Sequence, residues 1–210
     1  MAAHAPAPGN GHDRDMPTQV TDFGQRSTSI DGLLVIKTKH VDDDRGTVRE
    51  MYRESTFPGG GEGSIQAIRQ VNLTSTRRGA IRGLHGEATT KLVGLAAGQA
   101  FGAYLDTRPG SGSFGTLVTL ELEPGMQVLV PMGVCNGFQA LTDNCLYLYC
   151  FDTEWQPGMR GVAVNPLDRG LAIAWPVTID RTDRSLLSEK DAALPNFKDL
   201  ALAEEPAERK

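Results

Sequence analysis

Pro124-Gly125, then Val128-Leu129-Val130, then Pro131-Met132-Gly133 is the stretch from which the fold is read. A Pro-Gly turn feeds three apolar residues and a Pro-x-Gly turn stops them, which makes a short strand between two breaks. The same punctuation recurs on both sides. Pro109-Gly110 and Pro157-Gly158 mark further turns. Short apolar or alternating runs fill the intervals at 33–37, 47–53, 67–73, 90–95, 100–106, 115–122, 137–141, 146–151 and 162–164. Many short strands at this spacing, with no long helical period between them, predict an all-β sandwich or barrel.

The ends differ in texture. Residues 1–28 mix Pro, Gly, Ala and Asp without periodicity and read as a disordered N-terminal tail. The domain is expected over residues 29–198, with a frayed tail over 199–210. Asp42 to Gly46 reads as a turn, and Gly59-Gly60-Gly61 with Gly63 as a plain loop, because no phosphate-binding pattern surrounds it. Over 186–195 a short helix is expected, capped by Ser188 with acidic groups in its first turn.

Composition narrows the function. The net charge is −5 and the basic residues are scattered, so there is no electrostatic footprint for nucleic acid. No apolar run approaches the ~20 residues that span a bilayer, and no charged start precedes an apolar stretch as in a signal peptide. The three cysteines, Cys135, Cys145 and Cys150, lack C-x-x-C spacing. They read as reduced, buried thiols in a cytoplasmic protein.

Chemistry concentrates in Gln70-Val71-Asn72 and in Arg82-Gly83-Leu84-His85-Gly86-Glu87, which places a cation, an imidazole and a carboxylate within six residues. His85 and Glu87 form an H-x-E pair that could begin a metal site, but residues 131–138 add no histidine and His40 is far off in sequence. One imidazole and one carboxylate fall short of the three or more ligands such sites need, so neither metal nor cofactor is expected. On the residues alone, His85 is either a base or a hydrogen-bonded core histidine. Tyr147 and Tyr149 share a strand face, and either reads as a buried structural aromatic. Asp191 also fits an acid at a helix start, Arg45 a turn residue paired with Asp43 or Asp44, and Lys91 a solvated lysine.

The turn, strand and Pro-x-Gly of residues 124–133 resemble the second motif of the cupin double-stranded β-helix. A longer ordered set is more specific: Arg82-Gly83-Leu84-His85, Lys91-Leu92-Val93, Ser113-Phe114-Gly115, Pro131-x-Gly133, Asn136-Gly137-Phe138, Tyr149, Asn165-Pro166-Leu167, Ile173-Ala174-Trp175-Pro176 and Ser188-Glu189-Lys190-Asp191. Together these resemble the dTDP-4-dehydrorhamnose 3,5-epimerase family of metal-free cupins, over about residues 30–195.

That resemblance implies a cupin jelly roll with a short C-terminal helical segment, assembled as a homodimer. It also implies a nucleotide-activated 4-keto-6-deoxy sugar, carried on dTDP, as the substrate, inverted at C3, C5 or both. His85 would be the base, Asp191 the carboxylate that orients it, and Tyr149 the opposing acid, thirteen positions after Asn136. Lys91 would lie near the keto oxygen, and Arg82 would hold the sugar nucleotide. Arg45 would reach the nucleotide from a neighbouring protomer. Gln70 and Asn72 match a polar pair on the preceding strand; Glu50, Asn136, Trp155 and Lys190 complete the expected substrate-binding set. Four positions depart from the family pattern: Asn136 replaces His, Trp155 replaces Tyr, Arg160 replaces Glu and Gly102 replaces Asp. The segment after His85 is also shorter. A 3,4-ketoisomerase acting on the same substrate class and a non-catalytic sugar-nucleotide-binding cupin are the competing readings.

Overall fold

Phe138 and Tyr147 stack face to face at 4.0 Å, and they come from two different sheets. The computed structural model describes residues 18–57, 65 and 67–204. In chain order its strands are β1 (Gln19–Thr21), β2 (Gly24–Ser27), β3 (Leu34–Lys37), β4 (His40–Asp43), β5 (Gly46–Arg49), β6 (Gln70–Thr76), β7 (Ile81–Glu87), β8 (Lys91–Ala97), β9 (Ala100–Asp106), β10 (Leu117–Leu122), β11 (Met126–Val130), β12 (Val134–Ala140), β13 (Cys145–Phe151) and β14 (Gly161–Ala163). Two short helices follow, α1 (Glu189–Ala192) and α2 (Phe197–Glu204).

The strands form a six-stranded sheet ordered β2-β3-β11-β8-β13-β6 and a five-stranded sheet ordered β10-β9-β12-β7-β14. A third, three-stranded sheet is ordered β1-β4-β5. Period-two alternation points one face of each large sheet at the other. Val93, Leu95, Val128, Val130 and Tyr147 meet Tyr104, Leu122, Val134, Phe138 and Ala140 in one buried cluster. This is the all-β cupin jelly roll expected from the turn-punctuated pattern.

The back of the five-stranded sheet is buried as well, which is why every residue of β12 is buried. Leu84, Leu105 and Cys135 pack there under Trp175, Phe197 and Leu200 of the C-terminal segment. Gln139 fastens that segment, donating to the Val177 carbonyl at 2.7 Å and accepting from its amide at 2.9 Å. The same covering carries α1 round to β7.

The strands begin earlier than the composition suggests. Residues 19–21 pair with β4 and residues 24–27 with β3, where a tail through residue 28 was expected. Edge pairing runs through the main chain and asks little of side chains, so a polar Gly-Gln-Arg-Ser strand carries no hydrophobic signal. The rest of the expected tail, residues 1–17, and the Gly59–Gly63 loop lie outside the described residues. The turn read over 42–46 shrinks to Asp44-Arg45, since Asp43 pairs with Gly46. Helix α2 occupies much of what was read as a frayed end, because Phe197 packs on Phe114 at 5.4 Å.

Candidate active site

At one open end of the jelly roll, between the two large sheets, lies a cavity of about 400 Å³. The five-stranded sheet supplies Arg82, His85 and Glu87 from β7 and Asn136 from β12. The six-stranded sheet supplies Gln70, Asn72 and Thr74 from β6 and Tyr149 and Phe151 from β13. Trp155 and Asp191 close the rim.

Strand phase explains most of this. Gln70, Asn72 and Thr74 alternate with the exposed Val71 and Leu73. Tyr147, Tyr149 and Phe151 share a face and form a ladder leading out from the core. Tyr149 lies 4.9 Å from Tyr147, and Phe151 stacks on Tyr149 at 6.0 Å. Strand β7 breaks the phase. Asn136 faces His85 but Phe138 faces Arg82, three residues on β7 against two on β12. This bulge turns Arg82 to the same side as His85. It forms where the backbones of β7 and β12 nearly touch: a Cβ on Gly83 would lie 2.5 Å from Gly137 Cα.

His85 Nε2 lies 2.8 Å from Asp191 Oδ1. Ser188 caps α1 by accepting from the Asp191 amide at 3.0 Å, which fixes where that carboxylate points. Burial pushes the Asp191 carboxyl up, but the bonds and charge of His85, with help from Ser188 and Lys190, outweigh it and hold the carboxyl below its ordinary value. An ionised carboxylate only accepts, so the shared proton belongs to Nε2, and the lone pair left for chemistry is on Nδ1.

Across the cavity, burial drives the Tyr149 phenol well above its ordinary range, although the Arg82 cation pulls the other way. The phenol is therefore protonated at neutral pH, the state that donates. Arg82 Nε donates to Thr76 Oγ1 at 3.0 Å. Its two terminal nitrogens have no partner among the described residues, leaving a fork suited to paired anionic oxygens. Gln70 accepts from the Trp155 amide at 2.7 Å and donates to Asn72 at 3.1 Å, tying the backbone at Trp155, whose indole is half exposed, to β6.

Some expected residues lie elsewhere. Lys91 is buried beneath the cavity, 1% exposed. Its ammonium donates to the His85 carbonyl at 3.1 Å, to Asn136 Oδ1 and to Glu87. Three donors meet three acceptors, so this cation braces the wall rather than facing the space. Arg45 sits on the exposed β4–β5 turn, its guanidinium on Asp43 at 2.6 Å. Glu50 pairs with Arg53, and Lys190 faces solvent on α1. None of these three lines the cavity. Of the four departures from the family pattern, only Asn136 and Trp155 do. Gly102 lies on β9, where a Cβ would press on Leu122 and Tyr104 at 3.0 Å, and Arg160 is exposed near β14.

Four lining residues had gone unassigned: Thr74, Gly83, Glu87 and Phe151. Thr74 follows from the alternation that gave Gln70 and Asn72. Glu87 is ionised: burial raises its carboxyl, but the charge and bond of Lys91 prevail and bring it below the ordinary value. The two halves of the H-x-E pair are engaged separately, His85 with Asp191 and Glu87 with Lys91. Among the described residues, no three His, Cys, Asp or Glu side chains gather as a ligand set.

This chain is similar to known proteins in both sequence and fold. Residues 27–199 match the family described as dTDP-4-dehydrorhamnose 3,5-epimerase. A protein of that name from Streptomyces griseus is 31% identical over 180 residues, 83% of this chain and 87% of that one. The dTDP-4-dehydro-6-deoxyglucose 3-epimerase of Streptomyces bikiniensis is 34% identical over 177 residues, 80% of this chain and 86% of that one. Among solved structures, a 4-keto-6-deoxy sugar epimerase from the novobiocin gene cluster of Streptomyces spheroides superimposes with a TM-score of 0.78 at 26% identity, covering 88% of this chain and 92% of that one. With the ordered motifs, the jelly roll and the matched length in agreement, this chain belongs to the dTDP-4-dehydrorhamnose 3,5-epimerase family.

Proposed function

We propose that the protein is an epimerase that inverts C3, C5 or both of a 4-keto-6-deoxy sugar carried on dTDP. A C–H beside a ketone is a weak acid, so inversion needs a base on one face of the carbon and an acid on the other. His85 Nδ1 takes the proton from one face, and Asp191 stabilises the imidazolium that results. The electron pair passes to the ketone oxygen as an enolate. Tyr149 then gives its hydroxyl proton to the opposite face and regains one from solvent as His85 releases its own. The observation that carries this reading is the position of His85 on one sheet, paired with Asp191 of α1, and of protonated Tyr149 on the other sheet, with the cavity between them.

Arg82 holds the diphosphate with its free fork, while Gln70, Asn72 and Trp155 line the approach. Lys91 acts from below, by positioning Glu87, Asn136 and the His85 strand. Arg45 and Glu50 lie outside the protein's own cavity, which fits their serving the cavity of a second copy in a homodimer; the exposed Val20 and Val48 on the same small sheet suit such a contact. Three buried free thiols fit a cytoplasmic protein. The relatives named for 3,5- and for 3-epimerisation differ little in identity, 31% and 34%, and their names share C3. The test is incubation of a dTDP-4-keto-6-deoxy sugar in deuterated water, with NMR reading where deuterium enters and which centres invert. Exchange with inversion supports epimerisation. Conversion to a 3-keto sugar indicates a ketoisomerase, and binding without exchange a non-catalytic cupin.

A further inference from the structure

Three side chains of β7 face the cavity in a line: Arg82, His85 and Glu87. The bulge brings Arg82 into phase, and Glu87 lies two residues beyond His85, ~6.6 Å further along the strand. Glu87 is ionised, and the neighbouring Lys91 engages its Oε2. Its Oε1 accepts from no other residue among those described, and the side chain is 28% exposed. A half-buried carboxylate oxygen facing a cavity calls for a hydrogen-bond donor.

On the epimerase reading above, on which this inference rests, the line has a direction. Arg82 takes the diphosphate, which is attached to sugar C1. His85 must reach the carbons flanking the ketone. Glu87 therefore meets the end of the ring opposite C1, where the ketone is. A 4-keto-6-deoxy sugar has one hydroxyl at that end: C4 is a carbonyl, C5 bears a methyl group, and the C2 hydroxyl lies beside C1. We propose that Glu87 is a specificity-determining residue that accepts a hydrogen bond from the C3 hydroxyl. It thereby selects substrates that keep an oxygen on the carbon next to the ketone. Lys91 makes this compatible with an anionic intermediate, because the ammonium under the carboxylate leaves the pair neutral.

The experiment compares dTDP-4-keto-6-deoxyglucose with its 3-deoxy analogue, reading total solvent-deuterium entry at the carbons beside the ketone, C3 and C5, as kcat/KM for each. The unaltered protein should favour the hydroxylated sugar by about 10- to 100-fold, the range of a hydrogen bond to a charged group. Glu87→Gln keeps a partner for Lys91 but loses the charge, and should reduce that preference at least fivefold. The Glu87→Leu/Lys91→Met pair removes the acceptor without stranding a buried charge, and should abolish the preference. Affinity for dTDP alone, measured by calorimetry, should stay within about twofold in both variants, because the nucleotide binds at the Arg82 end. A preference undiminished in both variants overturns the inference and leaves the epimerase reading intact. Absence of exchange by the unaltered protein at any position overturns both.

Discussion

His85 and Asp191 are 106 positions apart in the chain, yet Nε2 and Oδ1 meet at 2.8 Å. The meeting depends on the C-terminal segment crossing the back of the five-stranded sheet and ending in a capped helix at β7. The carboxylate selects the ring tautomer. In Asp191→Asn the amide either offers an N–H to Nε2, putting the proton on the wrong nitrogen, or leaves imidazolium without its counter-charge. The expected result is a fall in kcat of about 10²-fold or more, with dTDP affinity unchanged by calorimetry. Equal kcat in the variant would remove Asp191 from the mechanism.

Tyr149→Phe separates the two faces of the reaction. The ring still stacks on Phe151, but no proton is available across the cavity. Inversion should drop by about 10²-fold or more, while deuterium still exchanges on the His85 side with retained configuration. NMR of the recovered substrate checks this. Undiminished inversion would pass the acid role to another group.

Arg45 tests the homodimer. Arg45→Ala should weaken dTDP binding although the residue lies outside its own chain's cavity. Mixing Arg45→Ala with His85→Ala under exchanging conditions puts one intact cavity in each mixed dimer. Activity should rise above either parent, to about a quarter of the unaltered level by statistical mixing of a two-fold assembly. Activity no higher than the parents would contradict sharing between copies.

Asp106 makes a stability prediction with a pH sign. It is fully buried and accepts from Arg108 at 2.8 and 2.9 Å, Ser111 at 2.7 Å and Ser113 at 2.6 Å. Burial pushes this carboxyl up, and these bonds, together with one from the Arg108 amide at 3.0 Å, pull it well below its ordinary 3.8. A depressed carboxyl contributes stability that is full above the unfolded value and is lost as pH falls through the folded one. Asp106→Asn should cost about 2 kcal/mol at pH 7, discounted because Arg108 is partly exposed. Its melting temperature should vary less than that of the unaltered protein between pH 5 and pH 2.5. Thermal melts followed by circular dichroism decide it.

The fold was legible because turns and strand alternation are local. Pro124-Gly125 and Pro131-x-Gly133 bracket β11, and the run from Leu146 to Phe151 is β13. What stayed hidden depends on pairing between distant strands. No local pattern shows the β7 bulge that turns Arg82 to the cavity, because it exists only against β12. Lys91 matches a motif, yet its three acceptors come from two other strands, so its burial is a tertiary fact. Glu87 drops from view once the H-x-E pair is judged as a metal site, although its sheet face keeps it beside His85. Polar edge strands such as β2 lack an apolar signal altogether.

In the proposed mechanism His85 removes a proton from the carbon beside a ketone. The most direct measurement is deuterium entry from solvent at C3 and C5 of dTDP-4-keto-6-deoxyglucose, by NMR, with the unaltered protein and with His85→Ala. Entry with inversion at C3, C5 or both in the unaltered protein, and none in His85→Ala, is the predicted result. Equal entry in both proteins, or none in either, would contradict it.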